Sequence, residues 1–173
     1  DSITLQNLSD DYISDAVEKG LGWTLYYLGP EDVVLAEARD TQKQTDAIVD
    51  ELHAKFAWHY LGEEGREISA ILAGIAPDDE SGQYGRWAKY LSATLSFPFK
   101  AEVSEFQERG PLRDGDIVVV QGIESREGMY GLIAKVIKGR KPYGFPLCDL
   151  AVVDEKSSNH DPLQLYAVWY ANR

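Results

Sequence analysis

The chain is short of the residues on which most enzyme chemistry depends. Its 173 residues include one cysteine, one methionine and three histidines. A single thiol, Cys148, excludes an internal disulfide and points to a reducing, cytoplasmic setting. Cys148 falls at an expected strand end, where it reads as a small buried hydrophobe and not as a reactive thiol. No apolar run approaches the roughly 20 residues of a membrane span, and no basic-then-apolar leader is visible. The sequence has no Gly-x-Ser-x-Gly elbow, no phosphate-cradling loop ending in Gly-Lys-Ser/Thr and no His-Glu-x-x-His. Gly20-Leu21-Gly22 begins like a dinucleotide turn but lacks its third glycine. These absences together point away from an enzyme.

Positive charge is also scarce in one half. The net charge is −12, but residues 1–82 carry 18 acidic side chains against 5 basic, and residues 83–173 carry 11 against 12. This asymmetry predicts an acidic region, 1–82, joined to a nearly neutral domain, 83–173. The acidic field repels nucleic acid and attracts cations or basic partners.

Residues 1–82 read as helical. Ser9 looks like an N-cap for a helix ending at Gly20, and Pro30 opens a short helix running to about Arg39. Trp23–Leu28 fits either a strand or a buried helix. Ile48, Leu52, Phe56 and Tyr60 recur every four residues, which predicts one long helix ended by Gly62. Ile68, Ile71, Leu72 and Ile75 mark another. Residues 76–82, with Pro77 and Gly82, read as a linker.

Beyond the linker, Trp87, Leu91 and Leu95 stripe a helix that stops before Pro98. The period then changes to two. Strands are expected at Phe99 to Val103, Asp116 to Ile123, Tyr130 to Lys138, Tyr143 to Leu147 and Leu150 to Val153. Asp114-Gly115 marks a tight turn, and Asp161 with Pro162 is expected to cap a closing helix. The predicted class is α+β: a helical N-terminal region, then a small SH3-like five-stranded β-barrel with flanking helices.

Oxygen donors collect at the strand ends of this second region. Glu105 follows the first strand, Asp114 and Asp116 flank the turn into the second, Asp149 lies between the fourth and fifth, and Asp154 ends the fifth. Asp161 precedes the last helix. Converging strand ends would place two or three carboxylates on one rim, where a hard cation would relieve their repulsion. Asp116 is the strongest candidate, since Gly-Asp at a strand start lets a turn and a metal ligand coincide. Residues 78–82 do not form an EF-hand loop, because their carboxylates are out of register with the glycine. His59, Glu63 and Glu67 would share one helix face, but Gly62 and Gly65 interrupt it, so surface polarity is the better reading.

A resemblance sharpens this reading. The ordered set of Phe97-Pro98-Phe99, Gly110-Pro111-Leu112 with Gly115-Asp116, Gly139-Arg140-Lys141 leading to Phe145-Pro146-Leu147-Cys148-Asp149-Leu150, and Trp169-Tyr170-Ala171-Asn172-Arg173 resembles the small calcium-binding proteins of cyanobacteria. The likeness covers about residues 86–173. It implies a bacterial, non-enzymatic, intracellular calcium buffer or sensor acting in calcium homeostasis, with Ca2+ as the bound ion. Carried across, Asp116 and Asp149 lie inside the matching motifs, and Glu105 lies just after the first. Gln164 and Leu165 stand where acidic residues would be expected in relatives.

The alternative is an SH3-like protein-interaction adaptor without metal. Lys135, Lys138, Arg140 and Lys141 lie beside Tyr143 and Phe145 on one hairpin. Nucleic acid is disfavoured by the acidic half, and docking of this hairpin onto that acidic half, within one chain or in a homo-oligomer, is the better reading, with a separate protein partner as the other option.

Overall fold

The computed structural model describes residues 41–105 and 110–173. The helices expected at Ser9–Gly20 and Pro30–Arg39, and the Trp23–Leu28 segment, lie outside the described residues. The chain forms two compact units that divide between Ala73 and Gly74.

In the first unit, helix α1 (Gln42–Lys55) opens with a reciprocal cap. Thr41 Oγ1 accepts from Gln44 N, and the Gln44 side chain accepts from Thr41 N at 2.9 Å. The single long helix predicted through Tyr60 does not form. α1 stops at Phe56, a 3-10 turn spans His59–Leu61, and Gly62, at φ 65°, opens helix α2 (Gly62–Ile71). The reason is steric. A Cβ at Gly65 would sit 1.7 Å from the Trp58 carbonyl oxygen, so the chain turns tightly where only glycine fits. Phe56 and Ile68 are buried, and the Phe56 ring meets His59 edge-on at 4.8 Å.

In the second unit, helix α3 (Glu80–Thr94) starts inside the predicted linker. Asp79 is its N-cap, accepting from Gly82 N at 2.9 Å, so the acidic run is the helix start and not a spacer. Tyr84, Trp87 and Leu91 face the core along it. Five strands follow: β1 (Phe99–Val103), β2 (Ile117–Glu127), β3 (Gly131–Lys138), β4 (Lys141–Pro146) and β5 (Leu150–Val152). Strand β1 alternates buried and exposed residues as its sequence predicts. The sheet is antiparallel, in the order β4-β3-β2-β1-β5.

This order departs from the small five-stranded barrel expected from the sequence. β4 and β5 are the two edges and do not pair, so the sheet stays open. Pro142 and Pro146 deprive β4 of two donors, and the chain leaves it through a 3-10 turn at Leu147–Asp149 that carries β5 to the opposite edge. Register irregularities near Gly122 and Glu124 bend β2.

Helix α4 (His160–Asn172) closes the unit. The expected cap was Asp161; the residue at that position is Asn159, and its side chain does other work. Buried Asn159 accepts from Ser96 N at 2.8 Å and donates to Ser96 O at 2.9 Å, tying the start of α4 to the segment before β1. Trp87, Trp169, Tyr84 and Tyr166 form a fully enclosed aromatic cluster with centroid spacings of 5.1–5.7 Å. Tyr166 also accepts from Leu132 N at 2.9 Å, joining helix to sheet. A Cβ at Gly131, where φ is 70°, would lie 2.5 Å from the Tyr170 ring and 2.7 Å from the Tyr166 hydroxyl. Trp169→Ala is therefore expected to cost about 3–5 kcal/mol in denaturant unfolding. Asn159→Ala, which orphans two backbone groups at Ser96, should cost about 1–3 kcal/mol.

Candidate metal centre

The candidate site is organised by the last residues of β1. Val103 N donates to Asp116 O at 2.9 Å, and Gly115 N donates back to Val103 O at 2.9 Å. Ser104 N donates to Asp149 O at 2.9 Å. Two acidic loops, one before β2 and one before β5, are thus anchored by backbone to opposite sides of one strand end. Glu105 follows directly and is exposed.

Asp116 sits on a turn closed by its own N–H donating to Arg113 O at 3.0 Å. Gly115 supplies the left-handed position at φ 79°, as the Asp-Gly pair predicts. Asp116 Oδ2 accepts from Arg113 N at 2.7 Å and from Lys138 Nζ at 2.5 Å. The Lys138 ammonium, helped by the Arg113 amide, holds the Asp116 carboxyl below its ordinary value of 3.8. Lys138 is the residue that strand-end reasoning missed. It lies 22 positions away in sequence, and only the β2–β3 pairing brings it across. Asp114 occupies the same turn and is exposed.

Asp149 ends the 3-10 turn and is half-buried. Its Oδ1 accepts the Cys148 thiol hydrogen at 3.4 Å. Burial, and then the Asp149 charge, push the Cys148 thiol up to about 12. Cys148 therefore stays protonated at neutral pH and is a poor nucleophile.

Asp154 is elsewhere. β5 runs antiparallel to β1, with Val103 opposite Leu150 and Val153 N donating to Lys100 O at 3.2 Å. Asp154 thus belongs to the other end of the strand, at most about 17 Å of extended chain from the Asp149 anchor. Its Oδ1 accepts from Lys156 N at 3.0 Å. Asp161 is exposed and pairs with His160 at 2.9 Å. Among the described residues no three His, Cys, Asp or Glu side chains gather into a metal-sized group, His59, Glu63 and Glu67 included.

The groups that the loops at the end of β1 offer are carboxylate and carbonyl oxygens. That chemistry suits a hard cation such as Ca2+ or Mg2+ and not a thiolate- or imidazole-seeking metal. A cation already stands against Asp116 in the form of the Lys138 ammonium. The basic hairpin is similarly engaged, since Lys135 pairs with Glu124 at 3.9 Å. Two of its four charges are thus matched by carboxylates within the fold, which weakens it further as a phosphate-binding surface.

The depressed Asp116 carboxyl gives a signed pH dependence. Its contribution to stability is fully present above about 3.8 and is lost as pH falls through its lower folded value. Acid unfolding should therefore show the wild type more stable than Asp116→Asn at pH 5–7, with the difference vanishing towards pH 2.

The calcium-binding family model named for CcbP matches residues 69–170. A calcium-binding protein solved in its calcium-binding form aligns with a TM-score of 0.50 and 21% identity, over 64% of this chain and 92% of that one. CcbP from Anabaena aligns with a TM-score of 0.50 and 18% identity, over 61% of this chain and 90% of that one. At these identities the two structures establish a common fold. No curated protein is similar enough to count as a match.

Proposed function

The chain belongs to the CcbP calcium-binding family, and from that membership we propose that it binds Ca2+ reversibly through the carboxylates anchored at the end of β1. The observation that carries the site assignment is the backbone anchoring of two acidic loops to Val103 and Ser104. Asp116 and Asp149 would supply the principal carboxylates, with Glu105 and Asp114 the nearest further donors and carbonyls or water completing the 6–8 oxygens that calcium takes. Asp154 is left out, because the β1–β5 register places it at the wrong end.

Lys138 makes this site competitive. Asp116 cannot give its carboxylate fully to a divalent ion while Lys138 is bonded to it, so uptake would release the ammonium to solvent. We read the protein as a buffer or sensor without an enzymatic role, acting in a reducing bacterial cytoplasm, in keeping with a sequence that holds a single cysteine. The run β1 to β4, the 3-10 turn and β5 returning beside β1 support an SH3-like arrangement of an open, curled sheet.

Thermal melts in Ca2+, Mg2+ and chelator test the function. Calcium at one hundred times its dissociation constant should add about 2.7 kcal/mol per site, a rise of several degrees. No calcium-selective rise would defeat the reading. Calorimetric titration tests the site: Asp116→Asn should weaken binding about tenfold or more, and Lys138→Met should tighten it. Affinity unchanged in both variants would remove Asp116 from the site.

A further inference from the structure

The sheet of the second unit has two faces, and the unit's helices cover one of them. Helix α3 packs against β2 and β3, and helix α4 against β5. Phe99, Ala101, Val103, Val118 and Val120 point to that side and are buried. On the other side, strand pairing sets two rows of side chains. Lys100 stands between Val119 and Val153, and Ile137 and Pro142 continue its row across β3 and β4. Glu102 stands between Ile117 and Ala151. We propose that this outer face binds the same face of a second copy of the chain. The product is a weak two-fold dimer in which Lys100 of each copy meets Glu102 of the other.

Three observations carry this. The first is exposure. Ile117 is 47% exposed and Val153 48%, Ala151 and Pro142 are exposed, and Val119 and Ile137 are only half-buried. These side chains adjoin one another across the sheet, and a contiguous apolar patch of this kind marks a contact surface. The second is charge. Lys100 and Glu102 sit in the middle of the patch, and neither has an ion-pair partner among the described residues.

The third is symmetry. A half-turn about an axis lying in the face and crossing β1 at Ala101 sets β1 antiparallel over its copy. Each Lys100 then lies over a Glu102, each Val119 over an Ile117 and each Val153 over an Ala151, within the roughly 30° crossing of aligned sheets. Opposite charges meet, and apolar side chains meet apolar ones, the self-complementarity that an isologous interface requires. The other half-turn, about an axis along β1, would stack Lys100 on Lys100 and Glu102 on Glu102, so the charges select one orientation. Residues 83–173, which hold the face, are nearly neutral, with 11 acidic and 12 basic side chains. At physiological salt the charges of residues 1–82 are screened beyond about 8 Å. Two rows about 7 Å apart across strands spaced about 4.8 Å make a patch well below the roughly 800 Å² a side of a stable complex. The dimer is therefore weak and concentration-dependent.

Analytical ultracentrifugation of the full chain at physiological salt, from about 10 µM to about 1 mM, tests this. The wild type should show a monomer–dimer equilibrium with its dissociation constant inside that window. Lys100→Glu places glutamate over glutamate at both symmetric contacts, and Glu102→Lys places lysine over lysine. Each should weaken the dimer about tenfold or more. The double variant Lys100→Glu/Glu102→Lys is self-complementary again and should return to within about threefold of the wild type. That recovery separates charge pairing from a general loss of structure. A wild type that stays monomeric at about 1 mM would overturn the proposal, the face then meeting something other than its copy. So would a dimer that both single variants leave intact, or a double variant that stays monomeric with wild-type circular dichroism.

Discussion

Three backbone hydrogen bonds at the end of β1 are the constraint on which the functional reading depends. They join Val103 to Asp116 and Gly115 on one side and Ser104 to Asp149 on the other. Acidic side chains on separate, solvated loops would repel and drift apart. Tied through amides to one strand, the loops that carry them keep fixed backbone positions whatever their charge costs. The main chain supplies the organisation, and the carboxylates themselves remain adjustable, as a reversible site for a loosely coordinated ion requires.

The rest of the second unit serves to hold that strand still. β1 is flanked on both sides, and the segment before it is clamped by Asn159 through paired bonds to Ser96. The aromatic cluster of Tyr84, Trp87, Tyr166 and Trp169 packs α3 and α4 together, and Tyr166 fastens α4 to β3 at Leu132. Against this rigid support, the Lys138–Asp116 pair is the element that can change. It is partly exposed and breaks without opening the core. At the proposed site, an ammonium held at the Asp116 carboxylate would keep that group neutralised when divalent ions are scarce.

Much of this was legible in the sequence, and the reason differs by element. The alternation of Phe99, Ala101 and Val103 and the Asp114-Gly115 turn are local signals, and each forms as read. The four-residue spacing of Ile48 through Tyr60 was misleading, because a helical period does not register that Gly65, lacking a Cβ, lets the chain turn back close against Trp58. Asp161 looked like a cap by its place before Pro162, yet the helix begins two residues earlier, at His160, and the preceding Asn159 is spent on Ser96. Closure of the sheet was not readable, since it depends on whether two edge strands, joined only by the 3-10 turn at Leu147–Asp149, meet in space. At the site, the loops were visible as acidic strand ends, but not their division between the two ends of β1. That division depends on β5 pairing antiparallel to β1, which separates Asp154 from Asp149 by the length of the strand. Lys138 was visible only as part of a basic hairpin.

The most direct measurement is a calcium titration followed by backbone amide NMR of the full chain. The largest shifts should fall at Val103 to Glu105, Asp114 to Asp116 and Cys148 to Leu150, together with a change at the Lys138 side-chain ammonium and little at Asp154. Saturable shifts centred elsewhere, with these amides and Lys138 unmoved, would show that the end of β1 does not hold the ion.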